Sequence, residues 1–136
     1  MAMSNETVTG SFDMEAARRS YRERQHAHRH ALRKRWTAAK SDADAIVAGI
    51  RERWNPERIV VWGSLLRPEL FTEYSDIDIA VEGVNDMEQW SEMERWALQQ
   101  TEFSLDLIPL DKIHPEHRTR ILNKGMVVHE REASHG

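Results

Sequence analysis

Residues 61–81 read VWGSLLRPELFTEYSDIDIAV, and their pattern decides the fold. The stretch opens inside a β-branched run, Arg58 to Trp62 (RIVVW), which suits a buried strand and is halted by Gly63-Ser64. After eleven intervening residues, 65–75, a second strand begins, Asp76 to Val81 (DIDIAV), in which acidic and apolar residues alternate. Successive side chains on a strand point to opposite faces, so Asp76 and Asp78 share one face while Ile77 and Ile79 share the other. A strand, a glycine turn, a loop and a returning strand thus deliver two carboxylates side by side.

Toward the C-terminus, Gly83 ends the second strand, and Asn85 or Asp86 can cap a helix to about Gln99 with Met87, Trp90, Met93 and Ala97 facing inward. A third strand follows, Phe103 to Pro109 (FSLDLIP), with Asp106 between apolar Leu105 and Leu107. Pro115 to Lys124 suits a last helix with Gly125 as its C-cap, and Met126 to His129 a terminal strand. This alternation predicts an α/β (α+β) domain, a short mixed β-sheet flanked by helices.

Toward the N-terminus, Met14, Ala17, Tyr21, His28, Leu32, Trp36, Ala39, Ala43, Ile46, Ile50 and Trp54 recur at the helical period and form one amphipathic stripe. The phase survives Lys40-Ser41-Asp42, which allows a single helix of about 40 residues, roughly 60 Å long. A new helix capped by Ser41 is the competing reading. Either helix ends by Trp54, because Asn55 precedes Pro56. The expected organisation is a disordered segment at 1–12, a basic helical arm at 13–40, a catalytic-type domain at 41–131 and a tail at 132–136.

The 136 residues, 40% hydrophobic and 31% charged, can enclose one core but not two. No apolar run approaches a membrane span and residues 1–11 lack a signal segment, so a soluble, cytoplasmic protein is expected. The absence of cysteine excludes disulfides and thiolate metal sites, leaving carboxylates or histidines as metal ligands. The net charge of -4 is uneven: residues 1–40 hold nine Lys/Arg against four Asp/Glu, the remainder ten against nineteen. The arginine-rich helix reads as a solvated face or a docking surface for an acidic protein, in preference to a nucleic-acid footprint.

Each part of the 61–81 unit has a chemical use. Gly63 permits a tight turn, and the backbone N–H groups after it, with the Ser64 hydroxyl, can hold triphosphate oxygens. Asp76 and Asp78 repel each other unless a divalent cation sits between them, and oxygen ligands suit Mg2+. Asp106 can join them if its strand is the neighbour. By contrast His26, His28 and His30 lack further ligands nearby and stand among arginines, which disfavours a metal there. Trp62 and Trp90 are expected in the core and Trp36 and Trp54 on the helical stripe. Trp96 falls off the stripe of its helix and becomes a candidate intermolecular contact. Tyr74 can stack on a nucleobase or cover the strand end.

Residues 61–81, together with Asp106 in FSLDLIP, resemble the signature of the DNA polymerase beta superfamily of nucleotidyltransferases. Over about residues 45–131 the chain is similar to the minimal nucleotidyltransferases, or MNT proteins. The family pattern is Gly-Ser, about ten residues, Asp-x-Asp and a later single Asp on an adjacent strand. Eleven residues intervene here, and Leu65 stands where an arginine often follows the serine, while Arg67 matches a second arginine. The resemblance implies that Asp76, Asp78 and Asp106 are catalytic and bind two Mg2+ ions, that Asp106 helps deprotonate an acceptor hydroxyl, and that Gly63, Ser64 and Arg67 bind the nucleotide, ATP.

Such small family members are commonly antitoxins of HEPN-domain ribonuclease toxins, which they silence by transferring AMP to a tyrosine. The resemblance therefore implies protein adenylylation of a HEPN partner, with the acceptor supplied by another chain. The arm is not part of the family pattern, and its stripe suits docking on that partner or on a second copy. Two further readings stand beside this one: a non-catalytic antitoxin or scaffold that acts by binding, and a small-molecule nucleotidyltransferase completed by dimerisation.

Overall fold

The computed structural model describes the backbone of residues 2–132 and side chains from Asp13 onward. The backbone of residues 2–12, a segment expected to be disordered, is helical, and residues 133–136 of the expected tail lie outside the described residues. Packing divides the chain into two units, Met1–Lys34 and Arg35–Gly136. A single helix, α1 (Ala2–Trp54), passes through Ser41 without a break. Ser41 is not used as a cap because Ala39, Ala43, Ile46 and Ile50 continue one buried stripe across it. Asn55 ends α1 at φ 41, its N–H donating to the Arg51 carbonyl at 3.1 Å, and Pro56 prevents continuation.

The second unit continues with β1 (Arg58–Trp62), two 3-10 turns (Gly63–Leu66 and Pro68–Leu70), β2 (Ile77–Glu82) and α2 (Met87–Leu98). It closes with β3 (Leu105–Pro109), α3 (Pro115–Lys124) and β4 (Met126–Glu130). The strands form one mixed sheet in the order β3-β2-β1-β4, with β2 and β3 parallel and the other pairs antiparallel. The sheet is short and flanked by helices, as the pattern of elements predicts. α2 is the crossover that a parallel pair requires.

Period-two alternation gives the sheet two apolar faces. On one, Ile59, Val61, Ile77, Ile79, Val81 and Leu107 pack against the α1 stripe and against Met93 and Ala97 of α2. On the other, Val60 and Ala80 pack against Leu110 and Ile121, the latter from α3. Glu82, buried on this second face, accepts a short hydrogen bond from Arg118 of α3 and lies 3.7 Å from Arg58 of β1. A buried carboxylate needs such partners, and here they tie α3 to the strands.

Helix ends follow the sequence closely. Asp86 caps α2 by accepting from the Glu88 N–H at 2.8 Å, and the His114 ring does the same for α3, accepting from Glu116 N–H at 3.1 Å. Gly125 caps α3 in extended geometry, and it is glycine because a Cβ would stand 2.5 Å from Val60 Cγ1.

Two expectations from the helical stripes are corrected. Met87, expected inward, is 76% exposed, because it occupies the first turn of α2 where the helix has not yet reached the core. Trp96 is satisfied within the chain. Its ring packs on Gly49 of α1, 5.9 Å from the Trp54 ring, and the Arg53 guanidinium lies 4.8 Å from its centroid. The side chain leaves the stripe of α2 because α1 offers a notch at a residue without a Cβ.

A test follows from that notch. Glycine to alanine inside a helix ordinarily stabilises by about 1 kcal/mol. Gly49→Ala places a methyl group in the Trp96 ring and is expected instead to cost at least about 1 kcal/mol in urea unfolding. In a Trp96→Ala background the same substitution should become stabilising.

Candidate active site

The register of the sheet assembles the carboxylates. Asp78 of β2 stands opposite Asp106 on the parallel strand β3, and opposite Trp62 on the antiparallel strand β1. Asp76 lies just before β2 and shares the side of Asp78 by alternation. This side of the sheet is covered by α3 only around Val60 and Ala80. Asp76 and Asp78 are therefore half-buried and Asp106 is exposed.

Gly63 follows β1 directly with φ 77, a backbone conformation that strains any L side chain. A Cβ at Gly63 would also run into the Asp78 carboxylate. The glycine thus permits the turn and lets the backbone lie against the acid. Ser64 is half-buried in the 3-10 turn that follows, where its carbonyl accepts from the Arg67 N–H at 2.9 Å. Arg67 is exposed and makes no side-chain bond among the described residues, so the structure does not bring its guanidinium to the carboxylates. Leu65, at the position where an arginine is common, is 1% exposed in the core, and its carbonyl accepts from the Trp36 indole at 2.8 Å. The side chain after Ser64 serves packing here, not phosphate.

Burial pushes the Asp78 carboxyl up from 3.8 to about 6, with the charges of Asp106 and then Asp76 adding to the shift. None of the three acids makes an ion pair among the described residues. Three adjacent carboxylates without a cation of the chain's own are a donor set of hard oxygens suited to Mg2+. Among the described residues no three acidic or histidine side chains already converge as a formed metal cage. Mg2+ commonly takes one or two protein carboxylates and completes its shell with substrate phosphates and water, so the residues fit the ion.

Two neighbours were not anticipated as parts of the site. Trp62, expected in the core, is half-buried beside Asp78, and its ring meets His117 of α3 edge-on with centroids 6.0 Å apart. Its indole Nε1 is buried without a hydrogen-bond partner among the described residues. The available signal was the alternation of β1, which puts Trp62 and Val60 on one face. The loop before β2 is anchored by Phe71, 2% exposed, and closed by Thr72 and Ser75, leaving Tyr74 85% exposed at its tip.

The sequence profile of the nucleotidyltransferase domain family matches residues 43–128, more than half of the chain, and the protein belongs to that family. Its mixed sheet flanked by helices is the nucleotidyltransferase fold. The chain is similar to one in a crystal structure of the toxin-antitoxin complex MntA-HepT, with 18% identity, TM-score 0.50, and coverage of 66% of this chain and 71% of the other. It is likewise similar to one in a toxin-antitoxin structure with AMP-PNP, with 19% identity, TM-score 0.55, and coverage of 66% and 74%. No curated protein matches the sequence.

The raised Asp78 pKa sets a pH dependence. The folded state binds this proton more tightly than the unfolded chain, so its stabilising effect is complete below about pH 4 and is lost as the pH rises through about 6. Solvent screening at a half-exposed group reduces the effect to about 1 kcal/mol. Without divalent cations the protein should therefore melt lower at pH 7.5 than at pH 4.5 by this contribution. Asp78→Asn should flatten that part of the profile.

Proposed function

We propose that this protein transfers AMP from ATP to a tyrosine hydroxyl of a HEPN-type ribonuclease toxin and acts as its antitoxin in the cytoplasm. The observation that carries the reading is the opposition of Asp78 and Asp106, with Asp76 beside them, against a glycine turn on the open end of one sheet face. Membership of the nucleotidyltransferase domain family supports the class of reaction. The likeness in fold to chains of an MntA-HepT toxin-antitoxin structure and of a toxin-antitoxin structure with AMP-PNP is in keeping with a toxin partner and an adenine nucleotide.

Asp76, Asp78 and Asp106 would hold two Mg2+ ions, which supply charge neutralisation at the α-phosphate and at the departing pyrophosphate. The chain's own residues position the reactants. Backbone N–H groups at Gly63 and Ser64, the Ser64 hydroxyl and the Arg67 guanidinium bind the triphosphate. Asp106, the most exposed of the acids, accepts the proton of the attacking tyrosine. The tyrosine oxygen bonds to the α-phosphorus as its bond to the β-phosphate bridge breaks, and pyrophosphate leaves. Catalysis is then positioning and electrostatics.

A second reading, neutralisation by binding alone, is favoured by two features: Leu65 is committed to the core, and the three acids do not form a ready metal cage. Incubating the protein with α-labelled ATP, Mg2+ and a HEPN-type toxin protein separates the two. Label on a tyrosine of that protein is the expected result, whereas a complex without label favours binding alone. Asp76→Ala should lower labelling by at least about 100-fold while leaving the complex intact. Labelling by the variant at the wild-type rate would refute the site assignment.

A further inference from the structure

The basic unit of α1 and the outer face of α2 carry matching patterns of opposite sign. On α1, Arg18 and Arg22 lie four residues apart beside Ala17 and Tyr21, also four apart, on an exposed helix surface that Arg24 shares. Met14 and Tyr21 are 60% and 58% exposed there. On α2, Glu88 and Glu92 are four apart beside Met87 and Ser91, and these residues line a second shallow surface that Arg95 also borders. Met87 also borders a hollow made with Trp90 and Pro109, so its exposed thioether side chain stands between two depressions.

Among the described residues Arg18, Arg22, Glu88 and Glu92 make no ion pair. Like charges four apart on a helix destabilise it, and an opposite pair on a facing helix relieves both. Four residues rise about 6 Å on any α-helix, so the two spacings coincide when the helices lie alongside. The two units also differ in charge. Residues 13–34 hold seven Lys/Arg against three Asp/Glu, and residues 35–136 twelve against nineteen.

We propose that residues 14–22 of one copy dock along α2 of a second copy, with Ala17 and Tyr21 covering Met87 and the Arg18/Arg22 pair meeting Glu88/Glu92. A second copy is the occupant because both halves of the complementary pattern are present in this chain. α2 packs on the sheet face opposite Asp78 and Asp106, so docking leaves the carboxylate side open.

Sedimentation velocity on the full-length protein over a range of concentrations tests this. Wild type should self-associate, and raising NaCl from about 0.1 to about 0.5 M should weaken assembly by shortening the Debye length. The Arg18→Glu/Arg22→Glu variant and the Glu88→Arg/Glu92→Arg variant should each weaken it at least about tenfold. Mixing these two variants should restore assembly as a heteromer, because each reversed helix then meets a complementary partner. Circular dichroism on each variant checks that the helices are kept, and restoration in the mixture itself requires folded chains. The proposal is overturned by wild type that is monomeric throughout, by reversed variants that assemble as wild type does, or by a mixture that fails to recover. It is equally overturned by a monomer whose Arg18 and Arg22 instead bind a fluorescein-labelled single-stranded RNA.

Discussion

Asp78 and Asp106 are held directly opposite each other on neighbouring parallel strands, and the rest of the domain is arranged to keep them there. Like charges across a strand pair repel, and burial at Asp78 raises the cost of its charge. The apolar residues that alternate with these acids offset the repulsion. Ile77, Ile79 and Leu107 lie beneath α1 and α2, so releasing the acids would require exposing that core. The fold therefore holds three neighbouring carboxylates together against their mutual repulsion.

The two sheet faces divide the work. One is closed by α1 and α2, whose Ile46, Ile50 and Met93 are fully buried against it. The other is closed only in part, by α3 anchored through Arg118 and Glu82. That anchor sits at the opposite end of β2 from the acids, which is why Asp76, Asp78 and Asp106 keep access to water and ligand. Trp62 and His117 mark the border between the covered and open parts. Gly63 completes the arrangement by letting the backbone lie where any side chain would displace the Asp78 carboxylate.

Much of this was legible in sequence. Strand β1 and helix α3 have the limits expected from the β-branched run at Arg58–Trp62 and from Pro115 and Gly125. The shared face of Asp76 and Asp78 follows from period-two alternation, and the family signature assigns Asp106 to their company. Other features were not legible. The 3-10 turn directs Leu65 into the core, the notch at Gly49 receives Trp96, and Met87 stays in solvent. α1 bypasses its own cap at Ser41 because the sheet extends the buried stripe through it.

The sequence by itself determined the elements and the chemistry they carry, since periodicity, caps and turn residues act between neighbours in the chain. Only the tertiary structure decided the pairing of Asp78 with Asp106, the retention of Trp96 within the molecule and the outward face of Met87. Those outcomes depend on strand register and on which helix lies opposite. Both are settled by burial between segments distant in sequence, through contacts that no local pattern contains.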